Sequence, residues 1–269
     1  MSGQVVFMFP GQGSQAVGMR HKLGVTDRRI DELFERAEQL LEIPLRQLID
    51  EGPLEELTRT SVAQPALLVT GYAAAQALRF RGYTADITLG HSLGEYTALV
   101  WAGVIGFDDA VRLVRSRGLL MEQASARTPG GMAAVIGVSS EKLEPVVKEI
   151  AATHGVLEIT NVNGPAAVVI SGVQTALEAA VDELREKRLG RAVMLTVAAP
   201  FHCSLMAPMA EEFGELLEEV DFKIPTCMFI DNVTGREEKR PERIRGKLVE
   251  QLTQPVQWMA GVETAVEAG

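Results

Sequence analysis

The chain has 269 residues, 46% of them hydrophobic and 23% charged, a make-up that can bury a sizeable core without disulfides or metals. Its 26 Lys and Arg against 36 Asp and Glu give a net charge of −10, which argues against nucleic acid or an anionic membrane surface as a partner. The start, MSGQVVFMFPGQG, lacks the basic lead and apolar length of a signal peptide, and the longest apolar stretch, Pro65 to Leu78, is too short to span a bilayer. A cytoplasmic protein is expected. Its two cysteines, Cys203 and Cys227, form no metal-type cluster and are expected to be small buried packing residues.

Val5 to Phe9, closed by Pro10-Gly11, predicts a buried first strand ending in a Gly-rich turn. Asp27 to Leu41 predicts a helix, with Ile30, Leu33, Phe34, Ala37, Leu40 and Leu41 on one face. Pro65 to Phe80 predicts a second, Ala-rich and mostly buried helix with proline in its first turn. A strand over Asp86 to His91 then runs straight into Ser92-Leu93-Gly94 and a helix through Trp101, followed by a helix over Asp108 to Ala124.

The pattern changes near Thr128. Strand (Met132–Val138), helix (Glu141–Thr153), two strands (Leu157–Val162 and Val168–Ser171) joined by an Asn163-Gly164-Pro165 turn, helix (Thr175–Lys187) and strand (Ala192–Val197) follow. This βαββαβ order is the ferredoxin-like signature and predicts an inserted subdomain over 127–196. The remainder, 1–126 and 197–269, then forms one discontinuous α/β domain, ending with a helix from Leu205, a strand at Met228–Asp231, a turn at Asn232–Gly235 and two helices.

Gly90-His91-Ser92-Leu93-Gly94 is a GxSxG motif between a predicted strand and a predicted helix, the context in which its serine projects from a tight elbow as a nucleophile. The alternative is a serine that merely caps a structural helix. The amide of Leu93, at the helix N-terminus, can stabilise an oxyanion. Four histidines could serve as the base. His91 should point across the elbow as a packing or hydrogen-bonding residue, His21 and His154 lie in polar settings, and His202 stands between a strand end and a helix. Elimination favours His202. No acidic partner announces itself; Asp231 could orient the histidine or could open the turn that follows it. Phe9 to Gln15 is a second Gly-rich turn, with Gln12 flanked by glycines and no phosphate-loop lysine after it.

With FPGQGSQ near the start, GHSLGE at 90–95, RSRG at 115–118, PFHCSLM at 200–206 and QLTQPVQW at 251–258, the chain resembles the malonyl-CoA:acyl carrier protein transacylases and the acyltransferase domains of polyketide synthases. The likeness runs from Val5 to about Val266. It implies an α/β-hydrolase-like large domain with a ferredoxin-like insert, a malonyl-Ser92 intermediate, His202 as base, and an oxyanion hole from Gln12 and the Leu93 amide. It implies that the Gln251 carbonyl orients His202, that Asn161 and Asn163 line the site from the insert with His91 on the substrate side, and that Arg117 holds the malonyl carboxylate. A guanidinium suits that task because it makes two parallel hydrogen bonds to a carboxylate. Arg112 and Arg115 are expected on the helix surface. Phe201 resembles the malonyl-selective pattern, in which a ring excludes a branched substrate. Family members continue with a Gly-Pro-Gly strand–turn and a last helix, whereas this sequence stops at Gly269.

The resemblance implies malonyl-CoA and an acyl carrier protein as partners, with no metal or redox cofactor, and a monomer is expected. Acyl carrier proteins are acidic, so a local basic patch would have to receive one. Arg185, Lys187, Arg188 and Arg191, or Arg236, Lys239, Arg240, Arg243 and Arg245, are the candidates against solvated helix faces. The rival enzyme class is a serine hydrolase sharing Ser92 and His202, for which Arg117 would have no use; a non-catalytic scaffold would need none of these residues.

Overall fold

The computed structural model describes residues 3–127, 129–195 and 199–269. Thr128, Thr196 and Val197, which bound the expected insert and its last strand, lie outside them. The first apolar run forms strand β1, Val6–Phe9. Helix α1, Arg28–Leu41, is capped by Asp27, which accepts from the Arg29 N–H at 2.9 Å, and buries Ile30, Phe34 and Ala37. Two short helices that the apolar periodicity does not reveal follow, α2 (Leu45–Glu51) and α3 (Leu54–Thr58), each preceded by a proline.

Helix α4 spans Thr60–Phe80, so it begins at Thr60 rather than Pro65, and the proline lies inside it. Proline removes the N–H that would bond the carbonyl four residues back, here that of Ser61. Arg115 supplies the missing donor at 2.6 Å, and the helix continues. Arg115 is therefore half-buried and structural, not the surface arginine its sequence position suggests.

Strand β2 (Ile87–Gly90), helix α5 (Gly94–Trp101) and helix α6 (Phe107–Arg127) come next. Beyond them are β3 (Gly130–Ile136), α7 (Ser140–His154), β4 (Leu157–Gly164), β5 (Ala167–Val173), α8 (Gln174–Glu186) and β6 (Arg191–Met194). The β4–β5 turn falls at Pro165-Ala166, because pairing persists through Gly164, opposite Ala167. After a short turn at Ser204–Met206 the chain ends with α9 (Ala207–Glu218), β7 (Met228–Ile230), α10 (Pro241–Glu250) and α11 (Trp258–Ala268).

Two sheets organise this mixed α/β molecule. One is parallel, in the order β1-β2-β7, with Val6 opposite Ile87 and Ile87 opposite Met228. The other is antiparallel, in the order β4-β5-β3-β6. Side chains alternate across this second sheet. Ala133, Val135, Val168 and Ile170 pack on α7 and α8, while Met132 and Val169 face the main core. Its outer strand is tied to the end of the chain: Val256 donates to the Thr160 carbonyl and accepts from the Val162 N–H, both at 2.9 Å. That anchor sets α11, which begins at Trp258 two residues after Val256, against the strand that carries Asn161 and Asn163. No helix among the described residues is long and apolar enough to cross a membrane.

Candidate active site

Strand β2 delivers Ser92 to the mouth of α5 with φ at 50°, a left-handed conformation that a serine rarely adopts. The glycines around it permit the turn. A Cβ on Gly90 would stand 1.9 Å from the Gly94 carbonyl carbon, and one on Gly94 would stand 2.2 Å from the Phe9 oxygen. Asn232, after β7, clamps the elbow: its Oδ1 accepts from the Ser92 N–H at 2.7 Å, and its Nδ2 donates to the Gly90 carbonyl at 2.6 Å.

His202 also has positive φ, 60°, and is 3% exposed. Its Nε2 lies 2.7 Å from Ser92 Oγ, and its Nδ1 lies 2.7 Å from the Gln251 carbonyl. An Nδ1–H donated to that carbonyl leaves Nε2 free to take the serine proton. Burial, with the charge of Arg117 adding to it, holds the imidazole down at about 3, so the ring is neutral and proton-accepting. Asp231 takes no part: its carboxylate accepts from the Thr234 N–H at 2.8 Å and pairs with Lys247 at 3.4 Å, so it opens the turn. His21 and His154 are exposed and remote from this pair.

Arg117, 1% exposed on α6, reaches the same point. One terminal nitrogen donates to Ser92 Oγ at 3.2 Å and to Gln251 Oε1 at 2.9 Å, and the other to Gln64 Oε1 at 3.0 Å. The Tyr96 ring lies beside it, with Cζ 5.6 Å from the centroid. Burial works against its charge and lowers its pKa.

Ser92, His202 and Arg117 open into a cavity of about 190 Å³ with Gln12, His91, Asn161, Asn163 and Phe201, closed by Met121, Met132, Val169 and Leu195. The Gln12 side chain donates to Thr60 Oγ1 at 3.2 Å. Leu93 is buried at the start of α5. His91 is half-buried, 2.8 Å from Asn163 Oδ1, with its ring edge-on to Trp258; burial lowers its pKa. A roomier groove of about 520 Å³ beside β1 has no titratable side chain in its lining and offers no chemistry of this kind.

Three residues at this site escape sequence reasoning. Asn232 reads as a turn residue, Gln64 as one polar position in an apolar helix, and Glu95 as the tail of GHSLGE; all three are buried against the machinery. Cys203 is buried as expected, its thiol pushed up to about 12 by burial, whereas Cys227 is only half-buried. Among the described residues no group of three or more His, Cys, Asp or Glu could hold a metal ion. Of the two basic clusters, Arg236, Lys239, Arg240, Arg243 and Arg245 are each paired to a carboxylate, as are Arg185 and Lys187; Arg188 and Arg191 are exposed and have no ion pair among the described residues.

Residues 6–269 match the acyl transferase domain family. The malonyl CoA-acyl carrier protein transacylase of Bacillus subtilis is 40% identical over 266 residues, covering 99% of this chain and 84% of that protein. An acyl carrier protein S-malonyltransferase from Vibrio cholerae superposes with a TM-score of 0.93 at 38% identity, covering 99% of this chain and 87% of the other. A malonyl-transacylase solved in complex with its type II PKS acyl-carrier protein also superposes at 0.93 and 38% identity, covering 99% and 86%. The chain belongs to the acyl transferase domain family and, within it, to the malonyl-CoA:acyl carrier protein transacylases.

Proposed function

We infer that the protein transfers a malonyl group from malonyl-CoA to the phosphopantetheine thiol of an acyl carrier protein, through a malonyl-Ser92 intermediate, supplying extender units for fatty acid or polyketide synthesis. One observation carries the assignment of residues: a serine, its base and a buried guanidinium meet in one cavity, with Ser92 Oγ 2.7 Å from His202 Nε2 and 3.2 Å from Arg117.

The cycle follows from those positions. His202 takes the Ser92 proton as Oγ attacks the malonyl thioester carbonyl. The main-chain N–H groups of Leu93 and Gln12 hold the oxyanion. The C–S bond breaks, and coenzyme A leaves with the proton from His202. The carrier-protein thiol then enters, gives its proton to His202, attacks the acyl-serine, and Ser92 Oγ departs with that proton. Bonds and protons balance with the two thiol partners alone. Arg117 holds the malonyl carboxylate, His91, Asn161 and Asn163 border the acyl chain, and the Phe201 ring disfavours an α-methyl branch by ~1–3 kcal/mol.

The architecture fits the same reading. An α/β-hydrolase-like domain over 1–126 and 197–269 carries Ser92, His202 and Arg117, and a ferredoxin-like subdomain over 127–196 roofs them. The strand order β4-β5-β3-β6 and the separate core under α7 and α8 support that division.

Intact-mass measurement after incubation with malonyl-CoA or acetyl-CoA tests the proposal. A malonyl adduct absent from Ser92→Ala, weak with acetyl-CoA and discharged by a carrier protein is expected. Equal acetyl labelling, or rapid loss of the adduct to water, would make the protein a hydrolase.

A further inference from the structure

Arg117 is a buried cation with no carboxylate at ion-pair distance among the described residues; apart from Ser92, its hydrogen-bond partners are the amide oxygens of Gln64 and Gln251. A buried charge without compensation is strongly destabilising. A buried acid stands one residue further back. Glu95, 1% exposed on α5, receives the Gln251 Nε2–H on one carboxyl oxygen and the Asn232 main-chain N–H, at 3.1 Å, on the other. Two donors on separate oxygens fit a carboxylate, which has no proton of its own to place. The Gln251 amide then lies as an oriented dipole between the charges, oxygen toward Arg117 and nitrogen toward Glu95.

We propose that Glu95 is a positioning residue which, by fixing the orientation of the Gln251 amide, anchors Arg117 and so sets the preference for a carboxylated acyl group. The proposal rests on Arg117 serving as the malonyl clamp. The groups facing Glu95 are Asp231, which raises its pKa, and Arg117, which lowers it, with Tyr96 alongside; burial and Asp231 prevail and push Glu95 up to about 8.

Glu95→Gln replaces two acceptors by one acceptor and one donor. Either the Asn232 N–H or the Gln251 NH2 then meets another donor, and turning the Gln251 amide to relieve the clash aims its nitrogen at Arg117. The Gln251 carbonyl that holds His202 belongs to the main chain and does not turn with the side chain. The damage should therefore fall on substrate choice before it falls on the base.

The test measures Ser92 acylation by malonyl-CoA and by acetyl-CoA at pH 9, where Glu95 is ionised, in wild type, Glu95→Gln, Gln251→Ala and the double variant. The malonyl kcat/KM of Glu95→Gln should fall about tenfold or more, the factor one unpaired buried donor is worth. Acetyl loading should change little, and Glu95→Gln should add nothing once the Gln251 amide is gone. Equal losses with both donors, an unchanged malonyl preference, or additive effects would each overturn the proposal. Should Glu95→Gln not fold, Glu95→Asp, which keeps the charge but withdraws it from Gln251, is read by the same ratio. A wild type that forms no malonyl-Ser92 adduct would overturn the malonyl reading together with this one. A wild type that loads malonyl beside a Glu95→Gln protein of unchanged preference would overturn this one alone.

Discussion

The two sides of Ser92 are built on different principles. In front lies a small cavity edged by apolar side chains, where Arg117, His202 and Gln12 converge on open space. Behind lies a dense polar lattice in which Asn232, Gln251 and Glu95 bond to one another and to the elbow backbone. The front carries the groups proposed to meet a substrate; the back holds a serine at φ 50° and an imidazole at φ 60°, conformations that need support from outside. Chemistry in such a site is only as accurate as the lattice behind it.

Substitutions on the two sides should therefore fail differently. His202→Ala, on the front, should slow Ser92 acylation by about 10⁴-fold or more, the scale on which a nucleophile loses its base, while the thermal transition moves little. Rapid-quench acylation and calorimetry on one preparation check both halves. Asn232→Ala, on the back, strips the Ser92 N–H and the Gly90 carbonyl of their partner. With each unpaired buried group worth ~1–2 kcal/mol, it should lower the unfolding free energy by ~2–4 kcal/mol in urea titration. A stable Asn232→Ala protein of normal activity would erase the distinction. Arg117→Ala should cut malonyl loading by about 100-fold, the value of one or two charge-assisted hydrogen bonds, and spare acetyl loading.

The same division explains what the sequence discloses. Front residues are recognisable because their chemistry restricts them to few side-chain types in tight motifs: Ser92 needs Gly90 and Gly94, and His202 is the histidine left once the other three are set aside. Back residues take their meaning from chain segments far away. Asn232 lies 140 positions from Ser92, and Gln251 lies 156 from Glu95, so no local pattern links them. The start of α4 is hidden for the same reason: Pro65 looks like a helix start until Arg115 is seen to satisfy the Ser61 carbonyl.

Proton traffic gives a finer probe of the front. An ordinary imidazole with a pKa near 6.5 would lose about fourfold of its neutral form between pH 7.5 and pH 6. Burial and Arg117 hold His202 at about 3, which keeps it neutral across that whole range. Acylation by acetyl-CoA, which makes no use of Arg117 or of Glu95 behind it, should stay flat from pH 7.5 to pH 6 when followed by rapid quench. An inflection near 6.5 would mean that water reaches the imidazole and that the front is less closed than its geometry indicates.

The smallest effect concerns the rim, where the carrier protein must arrive. Charge alone does not mark a landing site, because the arginines and lysine between Arg236 and Arg245 already hold carboxylates of this chain. Among the described residues Arg188 and Arg191 hold none, and β6, which begins at Arg191, leads to Leu195 in the cavity wall. An acidic carrier would exchange only water at those two guanidiniums, whereas at the other cluster it would have to displace existing partners. Reversing both, Arg188→Glu with Arg191→Glu, should raise the carrier-protein KM about threefold at low salt, with the difference shrinking as ionic strength rises. Acylation by malonyl-CoA should not change. Reversal of Arg240 and Arg243 serves as the control, since it breaks pairs with Glu238. If that control raised the KM more than the Arg188 and Arg191 pair did, free charge would not be what the carrier reads, and the docking face would lie on α10 instead.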